Sequence, residues 1–207
     1  MIFPRPPYLL RFLTSGFVKW RIPAREKCIY LTFDDGPIPE VTPWVLETLS
    51  RFNAKATFFC VGENVNKNKD VYQQILAAGH RTGNHSFHHL QAWKTPGETY
   101  LNDVALAQDL IGSRLFRPPH GQITIPLILA LRKKYSIILW SLLSYDFDRS
   151  ISPERCLSIL YKYTRPGDIV VFHDSLKAET NMKYALPRFL EHFQTKGFAF
   201  RTLPTNI

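Results

Sequence analysis

The stretch Cys28-Ile29-Tyr30-Leu31-Thr32-Phe33-Asp34-Asp35-Gly36-Pro37 decides how the chain is read. Its first six residues, β-branched, aromatic and apolar in the main, predict a strand, and two adjacent carboxylates follow before Gly36 and Pro37 turn the chain away. Taken alone, Asp-Asp-Gly-Pro is an ordinary turn. A second cluster changes its meaning: His85 and His89 stand four residues apart in Gly83-Asn84-His85-Ser86-Phe87-His88-His89-Leu90. On one helical turn that spacing places two imidazoles on the same face. One carboxylate with two imidazoles can hold a divalent ion and leave positions open for water and substrate, as a catalytic metal requires. The spare carboxylate is then a natural general base, and the chain reads as a metal-assisted hydrolase.

Outward from this stretch, short β-rich runs alternate with longer helical patterns, the signature of an α/β fold. Strands are predicted at Ile29–Phe33, Ala56–Val61, Arg81–Asn84, Leu115–Arg117, Ile137–Leu142, Asp168–Phe172 and Phe198–Arg201. Seven such runs suit an incomplete barrel. Thr42 before Pro43, and Ser152 before Pro153, predict helices opened by a capping hydroxyl and a proline at the first helical position. Cys156, Ile159, Leu160 and Tyr163 form one apolar stripe, and Leu186, Phe189, Leu190 and Phe193 another, ending near Gly197. The candidate catalytic residues fall just after predicted strands, where a parallel α/β barrel gathers its active site.

At 207 residues with 45% hydrophobic content, the chain builds one substantial core and has little room for a second. A net charge of +9 favours anionic surroundings, but no interleaved basic and aromatic run points to nucleic acid. Cys28, Cys60 and Cys156 are odd in number and lie in or beside apolar runs, so free buried thiols are expected. Within residues 1–27, the first 25 carry Arg5, Arg11, Lys19, Arg21 and Arg25 without an acid, and Pro4, Pro6 and Pro7 break any long apolar run. They read as neither a signal peptide nor a membrane span. Their mixture of basic residues with Tyr8, Leu9, Leu10, Phe12, Leu13, Phe17, Val18 and Trp20 suits either packing across the bottom of the barrel or rest on an anionic membrane. The catalytic domain is expected over 28–207, in a monomer placed in the cytoplasm or at the inner membrane face.

Read together, Thr32-Phe33-Asp34-Asp35-Gly36-Pro37 and His85-Ser86-Phe87-His88-His89 resemble the polysaccharide deacetylase family, the NodB-type carbohydrate esterases. Two further segments follow the same pattern in the same order: Arg117-Pro118-Pro119-His120-Gly121, and Gly167-Asp168-Ile169-Val170-Val171-Phe172-His173-Asp174. The resemblance covers roughly residues 28 to 202 and implies a distorted, incomplete (β/α) barrel of about seven parallel strands.

It also implies roles. Asp35, His85 and His89 would hold one divalent ion, with His88 a bystander, although at three residues from His85 it too can face the ion. Zinc is the expected ion, and cobalt, manganese, iron or nickel suit the same ligands. Asp34 would take a proton from the attacking water, Arg117 would pair with Asp34 and orient it, and His173 would protonate the departing amine with Asp146 supporting it. The backbone N–H of His120 would face the oxyanion, Gly121 would let the chain pass close to the site, and Val171 would line the acetyl pocket. Asp174 is expected only to cap or turn the chain.

The clearest departure lies in Leu143-Ser144-Tyr145-Asp146-Phe147, where the family pattern is Asp-x-x-Asp-Trp. Phe147 still walls an apolar pocket without the indole N–H, so altered substrate contacts or a shifted acyl preference are implied. The expected reaction is removal of an N-acetyl group from an N-acetylated amino sugar or glycan. An alternative is removal of an acetyl or formyl group from a lipid-linked or nucleotide-linked sugar. A carbohydrate-binding relic without catalysis is the third reading, and the intact acid, base and ligand sets argue against it.

Overall fold

A computed structural model describes residues 3–24, 26–205 and 207; Arg25 of the basic segment lies outside the described residues. Strand β1 (Cys28–Asp34) is buried along its whole length, as a central strand covered on both faces must be. It pairs in parallel with β2 (Thr57–Cys60) on one side and β7 (Ile169–His173) on the other. Beyond β2 follow β3 (Arg81–Asn84), β4 (Leu115–Phe116) and β5 (Ser136–Ile137), and beyond β7 lies β6 (Leu142–Leu143). The short β8 (Ala199–Arg201) pairs with the first half of β1. Every pairing between these strands is parallel, and the order β5-β4-β3-β2-β1-β7-β6 forms the expected distorted (β/α) barrel.

The run expected as one strand at 137–142 divides into β5 and β6, which stand at opposite edges of the sheet. The chain between them must cross the open seam, so its carbonyls find no neighbouring strand. The Arg117 guanidinium takes their place, donating to the Ile138 carbonyl at 3.4 Å and the Leu139 carbonyl at 3.3 Å. Residues 18–22 lie against the same seam: the Lys19 amide donates to the Ile137 carbonyl, and the Leu139 amide donates back to Lys19, each at 2.8 Å. Val18 and Ile22 are buried there.

Period-two alternation sorts β1. Ile29, Leu31 and Phe33 join the outer core beneath the helices, while Cys28 and Tyr30 belong to the inner one. A file of aromatic rings crosses the outer layer. Phe58 stacks on Phe33 at 5.0 Å, Phe33 on Phe172 at 5.8 Å, and Phe172 meets the edge of Phe189 at 5.8 Å, joining β2, β1 and β7 to α8 (Glu179–Thr195). The three cysteines are buried free thiols, as expected.

Of the two expected helix caps, one stands. Ser152 opens α7 (Pro153–Tyr163), its hydroxyl accepting from the Arg155 amide at 3.2 Å. Thr42 does not cap. It is the first residue of α2 (Thr42–Arg51), with Val41 at the cap position, because its hydroxyl is engaged elsewhere. That hydroxyl accepts from the Ile38 amide and donates to Asp174 Oδ2 at 2.7 Å.

Phe189 is fully buried and touches the rings of Phe172, Phe193 and Phe200. Phe189→Ala is therefore expected to lower unfolding stability by about 3–5 kcal/mol, measured by urea denaturation.

Candidate active site

The two carboxylates that close β1 part company because consecutive residues point to opposite sides and because the strand ends between them. Asp34 turns into the barrel. There Oδ1 accepts from Arg117 Nη1 at 2.6 Å, and the same nitrogen donates to the Thr32 hydroxyl at 2.8 Å. Arg117 has no exposed surface and lies 4.1 Å over the Phe59 ring. A cation so deep is tolerable only because the carboxylate, the hydroxyl and the two seam carbonyls occupy its donors.

Asp35 adopts φ 83°, beyond the strand, and meets the histidines: His89 Nε2 lies 3.3 Å and His85 Nε2 3.8 Å from its Oδ1. Burial pushes the Asp35 carboxyl up, but the His89 hydrogen bond and the charges of His173, His85 and His89 outweigh it and hold it well below the usual carboxylate range. Burial lowers His85 to about 4, against the pull of Asp34. His85 is thus neutral at pH 7, and with Nδ1 2.8 Å from the Arg117 carbonyl its Nε2 is left to coordinate.

The donor atoms of Asp35, His85 and His89 all lie within 4.8 Å of one another, and one oxygen with two imidazole nitrogens suits a divalent ion. His88 is turned away, its Nδ1 2.5 Å from Asp103 Oδ1 and its side chain 53% exposed.

The helical turn expected to bring His85 and His89 together is absent. They lie in a loop after β3, in which Ser86 (φ 61°) and His89 (φ 56°) take left-handed backbone conformations. Side chains hold that loop where helical hydrogen bonds would have done so. Asn84 Oδ1 accepts from the Ser86 amide at 2.8 Å, and Asp103 Oδ2 accepts from the Phe87 and His88 amides at 2.9 and 3.1 Å. Asp103 belongs to α5 (Gly97–Ile111), where it interrupts the buried stripe Tyr100, Val104, Ala107 and Ile111. An acid on an otherwise apolar helix face was the signal in the sequence for this role.

His173 ends β7 facing Asp35. Asp146 grips it twice: Oδ1 lies 2.8 Å from Nδ1, and Oδ2 accepts the His173 backbone N–H at 2.8 Å. Burial alone would lower His173, but the charge and hydrogen bond of Asp146, with Asp35 and Asp34 behind, raise it to about 9. At neutral pH it is an imidazolium with a proton to give.

Asp174 does more than turn the chain. It is fully buried, its amide donates to the Asp34 carbonyl at 3.1 Å, and its Oδ1 accepts the Gly36 N–H at 3.1 Å. With Thr42 on Oδ2 it straps down the turn that carries Asp35, and a Cβ at position 36 would overlap its carboxylate. Burial, which dominates, and Asp35 raise its carboxyl to about 8, against the hydrogen bonds from Thr42 and Gly36.

Asp34, Asp35, His85, His89 and His173 open into one cavity of about 350 Å³, a size suited to a sugar residue. His120, Gly121, Phe147 and Val171 line it as expected, joined by Trp140, Leu143 and Lys177. His120 (φ 58°) and Gly121 (φ 65°) turn sharply at the rim, and a Cβ on Gly121 would strike the Trp140 indole. The His120 ring lies tilted against that of His89 at 4.5 Å, and Phe147 meets His173 edge-on at 4.9 Å. Trp140 and Lys177 escaped sequence reasoning, because the one lies in the seam and the other on an exposed loop outside every motif.

Comparison with known proteins agrees with this fold. The profile of the family described as polysaccharide deacetylase matches residues 21–135. A peptidoglycan-N-acetylglucosamine deacetylase of Bacillus cereus is 34% identical over 196 residues, spanning 91% of this chain and 92% of the relative. A chitooligosaccharide deacetylase of Azorhizobium caulinodans is 30% identical over 207 residues, spanning 89% and 96%. The crystal structure of a peptidoglycan N-acetylglucosamine deacetylase superposes with a TM-score of 0.88 at 26% identity, covering 96% of this chain and 95% of that one.

Because Asp103 holds the loop between the two histidines and touches neither, Asp103→Ala should weaken metal affinity by about 10–100-fold, read by competition with a chelator.

Proposed function

The chain belongs to the polysaccharide deacetylase family, and we propose that it removes the N-acetyl group from an N-acetylated amino sugar of a glycan, using a divalent ion. It is a hydrolase of carbon–nitrogen bonds other than peptide bonds, as its named relatives are deacetylases of peptidoglycan and chitooligosaccharide. One observation carries the mechanistic reading: Asp34 and His173 share a single cavity with the Asp35–His85–His89 donor set, each backed by a buried partner, Arg117 and Asp146.

A divalent ion held by Asp35, His85 and His89 would supply a Lewis acid that polarises the acyl oxygen and acidifies water. Asp34, fixed by Arg117, accepts the proton of the water that adds to the acyl carbon. The His120 backbone N–H donates to the oxygen on which negative charge develops. His173 gives its proton to the amide nitrogen, the C–N bond breaks, and acetate and a free amine leave. Val171, with Phe147, Leu143 and Trp140, forms the apolar wall against which the acyl methyl group rests.

A second reading rests on the cavity wall. Leu143 stands where the family resemblance expects a carboxylate, and Lys177 brings a cation, which favours a sugar bearing phosphate, lipid-linked or nucleotide-linked. Comparing rates on neutral N-acetylglucosamine oligomers and on nucleotide-linked N-acetylglucosamine separates the two.

Purified protein supplied with zinc, cobalt or manganese is expected to release acetate from N-acetylglucosamine oligomers; no release from any acylated sugar by metal-loaded protein would refute deacetylation. Asp34→Asn should lower kcat by about 10²–10⁴-fold, while elemental analysis still finds about one ion per chain.

The pH profile tests the acid. His173 donates only while protonated, so kcat/KM should fall as pH rises through about 9. Asp146 raises that value, so in Asp146→Asn the basic limb should move to lower pH.

A further inference from the structure

Of fourteen large apolar side chains left exposed among the described residues, seven crowd into fifteen consecutive positions: Phe3, Tyr8, Leu9, Leu10, Phe12, Leu13 and Phe17. Most belong to α1 (Tyr8–Thr14), a helix that buries none of its residues. A seven-residue helix in water has little intrinsic stability, and packing usually supplies the rest. Here the barrel supplies almost none.

The segment is nonetheless tethered at both ends. Before the helix, the Leu143 amide donates to the Pro4 carbonyl at 2.9 Å, the Phe3 amide donates to the Tyr145 hydroxyl at 3.1 Å, and Arg5 is paired with Asp168. After it, Trp20 Nε1 donates to the Thr14 hydroxyl at 2.8 Å and Lys19 is bound at the seam. The apolar face is therefore held out by the fold as a fixed surface.

Cations edge that surface. Arg11 lies 6.0 Å over the Tyr8 ring, Arg132 lies 4.9 Å over Phe17, and Lys19 is exposed. Arg132 closes α6 (Ile125–Leu131), and the exposed Ile125 and Leu129 stand seven and three residues before it, on the same helix face, so the apolar patch continues there. Positions 3–24 contain no Asp or Glu. None of the helices in the described residues is long and apolar enough to cross a membrane.

We propose that this surface docks on the headgroup layer of an anionic lipid bilayer, α1 lying in the interfacial plane with its aromatic and leucine side chains inserted and Arg11, Lys19 and Arg132 on lipid phosphates. Charge chooses this occupant over a second copy of the chain, since self-association through the patch would press like-charged rims together. The inference does not depend on the deacetylase reading, because binding is measured without turnover.

The test is flotation of the full chain with vesicles of phosphatidylcholine alone and of phosphatidylcholine with phosphatidylglycerol. Binding to the anionic vesicles, weakened by salt and lowered by roughly tenfold or more in Leu9→Ser/Phe12→Ser/Leu13→Ser, is expected. Arg11→Glu/Arg132→Glu should lower it as well while keeping the apolar face. Circular dichroism and acetate release from soluble oligomers should be unchanged in both variants. Three results would each overturn the proposal: no binding to anionic vesicles, equal binding to neutral and anionic vesicles, or a dimer in sedimentation that the triple substitution converts to monomer.

Discussion

A guanidinium buried in the barrel, Arg117, paired with the carboxylate of Asp34, is the interaction on which the rest of the molecule turns. A lone charge at that depth would be prohibitive, and removing one partner of such a pair costs about 3–5 kcal/mol. The planar fork of arginine resolves the difficulty by meeting Asp34, Thr32 and the carbonyls of Ile138 and Leu139 at once. Those carbonyls belong to the bridge between the two edge strands, so the cation paired with Asp34 also holds the crossing of the seam.

Around that pair, buried carboxylates act as clamps on loops. Asp174 holds the turn after β1 through the Gly36 amide and the Thr42 hydroxyl, Asp103 holds the loop after β3 through two amides, and Asp146 holds His173 by ring and backbone together. An ionised or hydrogen-bonded carboxyl offers several acceptor sites, so one residue can satisfy two donors of an irregular backbone that has no strand or helix partner. The device fixes Asp35 and the two histidines on separate loops and His173 at the end of β7.

The wall of the cavity differs in character from the donor set. Leu143, Phe147 and Trp140 make one side apolar, and Lys177 stands at the opening with a single cation. Residues 3 and 4 touch this wall from outside through Tyr145 and Leu143, which links the exposed N-terminal helix to the site by hydrogen bonds and not by sequence proximity.

Much was legible in the chain itself. Strands alternating with helices, the apolar stripes of α7 and α8 and the free thiols follow from residue type and local spacing, and the ordered motifs carry the family resemblance, because alternation and motifs are local properties. What local spacing could not decide depended on groups distant in sequence. His85 and His89 converge through a left-handed loop clamped by Asp103; a helical turn was the wrong mechanism. Thr42 serves Asp174, 132 residues away, where a local cap was expected. The run at 137–142 reads as one strand, yet the barrel's open seam splits it, since pairing partners exist only at its two ends. The sequence by itself determined that the chain folds as an α/β barrel and which motifs resemble those of the family. Only the tertiary structure decided that Arg117 bridges Asp34 to the seam, which carboxylates clamp the loops, and that α1 stands uncovered, because each rests on a long-range hydrogen bond or on burial that no local pattern records.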